Sequence, residues 1–152
     1  MGSARGDSRA WVWLPLVVGL LFPAFVWMLA HQRDGQMLQA LAGYFSTVSG
    51  EPFWVVPLRI LWNLAPFISI AVAAELVLHT ERPARARAAS LFATLGAVAV
   101  FVVFYADVRS ALEQHRWTAS AITQGMAPLY ALPVSLVAFF FGWIAGSSAQ
   151  RR

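Results

Sequence analysis

From Trp11 to Ala30 the chain reads WVWLPLVVGLLFPAFVWMLA, without a charged side chain. A helix needs about 20 such residues to cross a hydrocarbon core of about 30 Å, so this run predicts a membrane span. Three further runs have the same character, over about residues 58–78, 88–106 and 126–146, and only Arg59 and Glu75 bring charge into the second. Their flanks agree with this parsing. Pro57 precedes the second run, RPARAR separates the second from the third, and TASAITQGMAP leads into the fourth. The short link around Pro83 predicts an antiparallel hairpin of spans two and three. Arg5 and Arg9 precede the first run as they would in a cleaved leader. The apolar stretch is too long for one and carries Pro15 and Pro23, so a retained span is expected.

The connections are patterned too. Between residues 34 and 48, Met37, Leu38, Leu41, Tyr44, Phe45 and Val48 recur at i, i+1, i+4, i+7, i+8 and i+11. That period predicts an amphipathic helix, resting at the membrane interface or folded as a lid over the bundle; the interfacial placement asks less of the sequence. After the third span, ADVRSALEQHR contains no breaker, so that helix is predicted to continue to about residue 116. At 1.5 Å per residue it would project roughly 15 Å beyond the membrane. The predicted fold is therefore an all-α integral membrane protein, a four-transmembrane-helix bundle forming one domain over residues 1–152. It carries an amphipathic helix between spans one and two and an extended third helix.

Composition narrows the chemistry. The chain is 59% hydrophobic and only 12% charged, which sets it apart from ordinary soluble domains. It has no cysteine, which excludes disulfides, thiolate catalysis, iron–sulfur clusters and Cys-based zinc sites. All basic residues are arginine. Arg5, Arg9, Arg82, Arg85, Arg87, Arg151 and Arg152 fall on one side of the spans. Arg33, Arg59, Arg109 and Arg116 fall on the other, matched by Asp34, Glu51, Asp107 and Glu113. The positive-inside rule then puts both termini in the cytoplasm, N-in/C-in, in a bacterial inner membrane. Trp11, Trp13, Trp27, Trp54 and Trp143 lie near span ends, as interfacial tryptophans do. The arginines form no contiguous basic face, so no direct nucleic-acid contact is expected.

Helices pack in lipid through small residues. Ala131, Ser135, Ala138, Gly142, Ala145 and Gly146 form such a stripe on span four, and Ala89, Ala93 and Ala97 form another on span three. These stripes can hold one chain together or join copies. Membrane lipid and further copies of the chain, in a homo-oligomer, are the expected partners, alongside a protein partner.

Glu75 is the one carboxylate within an apolar span. Intramembrane carboxylates serve proton relays or internal ion pairs. The hairpin at Pro83 makes Arg87 its expected counter-ion. Arg59, Asn63 and Pro66 share span two, where the proline frees a backbone carbonyl and favours a kink, so they mark a candidate polar cavity. Asp107, Arg109, Glu113, His115 and Arg116 on the projecting helix form a candidate partner surface. His31 and His115 share a side but are expected at different heights, and His79 lies opposite, so neither haem nor metal is expected. No P-loop, zincin, nucleophile-elbow or dinucleotide motif occurs. The expected function is a non-catalytic oligomeric subunit, a sensor, anchor or scaffold for a partner protein in a bacterial defence, immunity or secretion system. The alternative is a small ion channel or proton-coupled transporter built on Glu75 and the Asn63/Pro66 kink.

Overall fold

The computed structural model describes residues 4–32, 35–47, 51–79 and 83–148. Among them five helices follow in order: α1 (Ala4–His31), α2 (Met37–Tyr44), α3 (Val55–Leu78), α4 (Pro83–Glu113) and α5 (Trp117–Ser148). α1, α3, α4 and α5 are each long and apolar enough to span a membrane. Prolines 15, 23, 66, 128 and 133 lie inside these helices without ending them. In an apolar helix, neighbouring side chains and helices re-satisfy the carbonyl that a proline frees.

α3 and α4 meet along the middle of the bundle, and each touches both α1 and α5. The core is built along α4, whose Ala86, Ala89, Ala93 and Ala97 are fully buried. The small-residue stripe of α5 lies against it. A Cβ added to Gly142 would come within 2.6 Å of the Ala88 carbonyl oxygen, and one added to Gly146 within 2.9 Å of Arg85 Cα. Ala131 and Ser135 are buried while Ala145 faces outward. The expected stripe thus packs the chain on itself, one residue aside. Across the bundle, Gly19 of α1 receives the Phe67 ring, which leans on Phe101 at 5.8 Å, and Phe101 stacks on Tyr105 at 6.2 Å.

α1 and α4 run in the same direction, tied at both ends. Ser90 Oγ donates to Trp11 O at 2.8 Å, and Arg109 Nη1 donates to Leu29 O at 3.1 Å. Along α4 the two ties lie about 28 Å apart at 1.5 Å per residue, close to the thickness of a hydrocarbon core.

Several sequence expectations change here. α4 stops at Glu113 instead of running on to residue 116. His115 takes φ 57°, and Arg116 N bonds Ala111 O at 2.8 Å while His115 N bonds Leu112 O at 3.1 Å. This is a Schellman stop with histidine where glycine is usual. α5 begins at once with Trp117, so TASAITQGMAP is helix and not a connection. Its hydroxyls are absorbed locally: Ser120 Oγ donates to Trp117 O at 2.8 Å and Thr123 Oγ1 to Ala119 O at 2.9 Å. The end of α4 is consequently no lone stalk, since the start of α5 and the end of α1 flank it. α2 is also shorter than the period suggested, covering eight residues. Val48 lies outside the described residues.

Candidate functional site at the α1–α2 end

A cluster of hydrogen-bonded polar side chains lies at the end where α1 finishes and α3 begins. Arg59 and Asn63 stand one turn apart on α3 and both reach α2. Arg59 Nη1 donates to Tyr44 O at 3.2 Å and to Gly43 O at 3.4 Å. A cation on the last carbonyls of a helix is favoured by its dipole, so Arg59 caps α2. Its Nη2 lies 3.7 Å from Glu51 Oε2, and its guanidinium sits 5.2 Å from the centre of the Trp27 ring. Asn63, 4% exposed, donates from Nδ2 to Tyr44 Oη at 3.2 Å, and Tyr44 is itself 2% exposed. Burial raises the Tyr44 phenol above its usual value against the smaller opposing effects of Asn63 and Arg59, so it stays protonated near neutrality.

Trp27 links this cluster to α5. It stacks on His31 at 4.0 Å and meets the Tyr44 ring edge-on at 5.6 Å. His31 Nδ1 lies 3.0 Å from Trp27 O and Nε2 lies 3.0 Å from Gln124 Nε2. An amide nitrogen only donates, so in this arrangement His31 is the neutral tautomer with its proton on Nδ1.

Above the cluster a cleft of about 480 Å³ opens between the end of α1 and the α4–α5 turn. His31, Gln32, Arg109, Glu113, His115 and Trp117 line it. Arg109 Nε donates to Glu113 Oε1 at 3.0 Å. Of the candidate partner surface, Arg109, Glu113 and His115 line the cleft, whereas Asp107 and Arg116 are exposed away from it. His31 and His115 both line this cleft, because α4 stops at Glu113 beside the end of α1. Among the described residues no three His, Cys, Asp or Glu side chains are placed to hold a metal ion.

The candidate polar cavity is occupied by the protein itself. Tyr44 fills the space before Asn63, and Pro66 is buried within a continuous α3. Glu75 has a different partner from the one expected: its Oε1 lies 3.2 Å from His79 Nε2, one turn along the same helix, with both side chains substantially exposed. Residues four apart on a helix meet on one face, which puts His79 within reach of Glu75. Arg87 stands three residues before Ser90, which faces Trp11 of α1, and Arg85 lies 5.5 Å from the Trp143 ring of α5. Neither arginine forms an ion pair with Glu75. The sequence pattern missed Gln124, which sits in a stretch read as a connection, and valued Tyr44 for its ring alone. The Tyr44 hydroxyl, on an otherwise apolar face, was the available signal.

These features define a bundle of four helices long and apolar enough to span a membrane, with a polar, partly covered end where α1 finishes and α3 begins. No family model, curated protein or solved structure matches the chain.

Proposed function

We propose that the protein is a non-catalytic membrane subunit, a sensor, anchor or scaffold that meets a partner protein at its α1–α2 end. The observation that carries this reading is how the buried polar groups are used. Asn63 and Arg59 fasten α2. Deeper in the bundle, Ser90 Oγ donates to Trp11 O at 2.8 Å, Thr94 Oγ1 to Ser90 O at 2.7 Å and Ser135 Oγ to Leu132 O at 2.8 Å. A conducting path needs polar groups stacked at successive depths and turned to the permeant species, and these are turned to the backbone. Open, charged surface is instead gathered in the cleft.

The arginine distribution supports a bacterial inner membrane with both termini cytoplasmic and the cleft on the opposite side. The exposure of Met37 and Leu38 on α2 and of Phe45 just after it supports contact with the membrane interface. With Gly142 and Gly146 used against α4, a homo-oligomer would form through large exposed apolar side chains, such as Phe140 and Phe141 of α5, and not through those glycines. The second reading, a small channel or proton-coupled transporter, has one observation in its favour. Asn63 Oδ1 is buried without a hydrogen-bond partner. Ion flux through proteoliposomes separates the two: the subunit reading expects none above protein-free vesicles, and flux abolished by Glu75→Gln or Asn63→Ala would overturn it.

A further inference from the structure

A second, apolar cavity adjoins the cleft. It measures about 240 Å³ and lies between α1 and α4, lined by Phe22, Phe25, Val26, Val102, Tyr105 and Ala106 among others. Ala30 and Arg109 line both cavities, so the apolar trough and the polar cleft meet at Arg109. From Arg109 down to Val102 it descends about 10 Å along the helix, which keeps it within one leaflet. The tie between Arg109 and Leu29 marks the boundary of the apolar layer. Hydrocarbon below and charge above is the shape of a single lipid.

The charges specify its headgroup. Arg109 uses Nε on Glu113 and Nη1 on Leu29 O, which leaves the Nη2 edge for an anion such as a phosphate. Glu113 gives Oε1 to Arg109, and its second oxygen remains for a cation. Gln32 lines the cleft, and its Oε1 is buried just behind that wall with no donor. A buried acceptor of this kind calls for an N–H. We propose that this site binds one zwitterionic phospholipid with a primary ammonium headgroup, the upper part of one acyl chain in the trough, its phosphate on Arg109 and its ammonium between Glu113 and Gln32. A quaternary ammonium has no N–H for Gln32, and an anionic glycerol headgroup has no cation for Glu113. The proposal rests only on the spanning bundle, and neither the partner reading nor the orientation enters it.

The test is native mass spectrometry of the full chain released from nanodiscs of equal phosphatidylethanolamine, phosphatidylcholine and phosphatidylglycerol. One phosphatidylethanolamine per chain is expected to be retained in preference to the other two. Arg109→Gln should lower that retention about tenfold, the loss of one charge-assisted contact. Ala106→Phe, which fills the trough and leaves the cleft untouched, should lower it comparably, with helix content of both variants unchanged. Retention in bulk proportions overturns the proposal, as does wild-type retention in the Ala106→Phe variant. Water-soluble glycerophosphoethanolamine, added in detergent without lipid, should fail to bind; binding that ignores Ala106→Phe would overturn the lipid as its source.

Discussion

Asn63 and Tyr44 are joined by a buried hydrogen bond, Nδ2 to Oη at 3.2 Å, between a membrane-spanning helix and the short helix that covers its end. Arg59, one turn earlier, grips the last carbonyls of that short helix. An amide within an apolar bundle must find partners or carry a desolvation penalty. Here the partner is the covering helix, so the residue that resembles a pore group works as a fastener.

The hydrogen bond can be weighed by a double-mutant cycle. Tyr44→Phe leaves the Asn63 amide without its acceptor and should lower stability in detergent by about 1 kcal/mol, at the low end for a stranded buried group. Adding Asn63→Leu removes the stranded amide and should recover part of the loss. A coupling energy indistinguishable from zero, read from thermal unfolding of the four variants, would mean that the contact does not hold α2. The pH sign follows from burial. A phenol raised above its unfolded value contributes its stability fully below the ordinary tyrosine range and loses it as pH rises through the folded value. The Tyr44→Phe difference should therefore shrink only in strong alkali.

The turn between α4 and α5 makes the opposite prediction, a substitution that stabilises. His115 holds φ 57°, a region that costs most side chains about 1 kcal/mol or more and glycine little. His115→Gly should raise the thermal midpoint and His115→Val lower it. If both lower it by similar amounts, the His115 ring contributes contacts that outweigh its backbone strain.

α5 approaches α4 too closely to admit even a methyl group at Gly142. The added Cβ would meet the backbone of Ala88 and Ala89 rather than a movable side chain. Gly142→Ala should cost about 1–3 kcal/mol as the helices are pushed apart. At Gly125 an added methyl would meet nothing within 4 Å, so alanine there should come at little cost or with a gain in helix propensity. Equal losses at the two positions, measured by thermal unfolding, would count against this packing.

Four spans and their order were legible because hydrocarbon thickness sets a length that apolar runs must meet. The small-residue stripes were legible as well, although whether they join helices or copies was not. The side-chain pairs were harder to read. Glu75 and Arg87 suit each other by sequence distance across the Pro83 turn, but pairing also requires both to occupy facing sides of their helices. His79, one turn from Glu75 on the same helix, takes the carboxylate instead. His115 ends a helix without glycine or proline, so no breaker announced the stop. The cleft follows from that stop: it requires α1 and α4 to end level, a relation between helix ends that local periodicity does not contain.

The cysteine-free chain lends itself to a direct test of topology. Single cysteines at Ser46, beside α2, and at Ser147, near the end of α5, should be labelled from opposite sides of the membrane by an impermeant maleimide. In the proposed orientation Ser46→Cys reacts in intact spheroplasts and Ser147→Cys reacts only after lysis. The reverse pattern would invert the bundle, while labelling of both from one side would remove a span.

Arg59 offers the sharpest test of how α2 is held, because its four contacts differ in what they require. The two carbonyls of α2 and the Glu51 carboxylate need a forked donor, and the Trp27 ring favours a flat cation. A lysine keeps the charge but supplies neither the fork nor the plane. Hydrogen exchange of the α2 amides should therefore accelerate in Arg59→Gln and recover only in part in Arg59→Lys, while exchange in the middle of α3 and α4 stays slow. The short helix has few packing contacts of its own, so release of its C-terminal carbonyls should open it locally without unfolding the bundle. Full recovery by lysine would reduce Arg59 to a simple charge at the end of a helix. Acceleration throughout α3 would instead make it a core residue whose loss loosens the whole bundle.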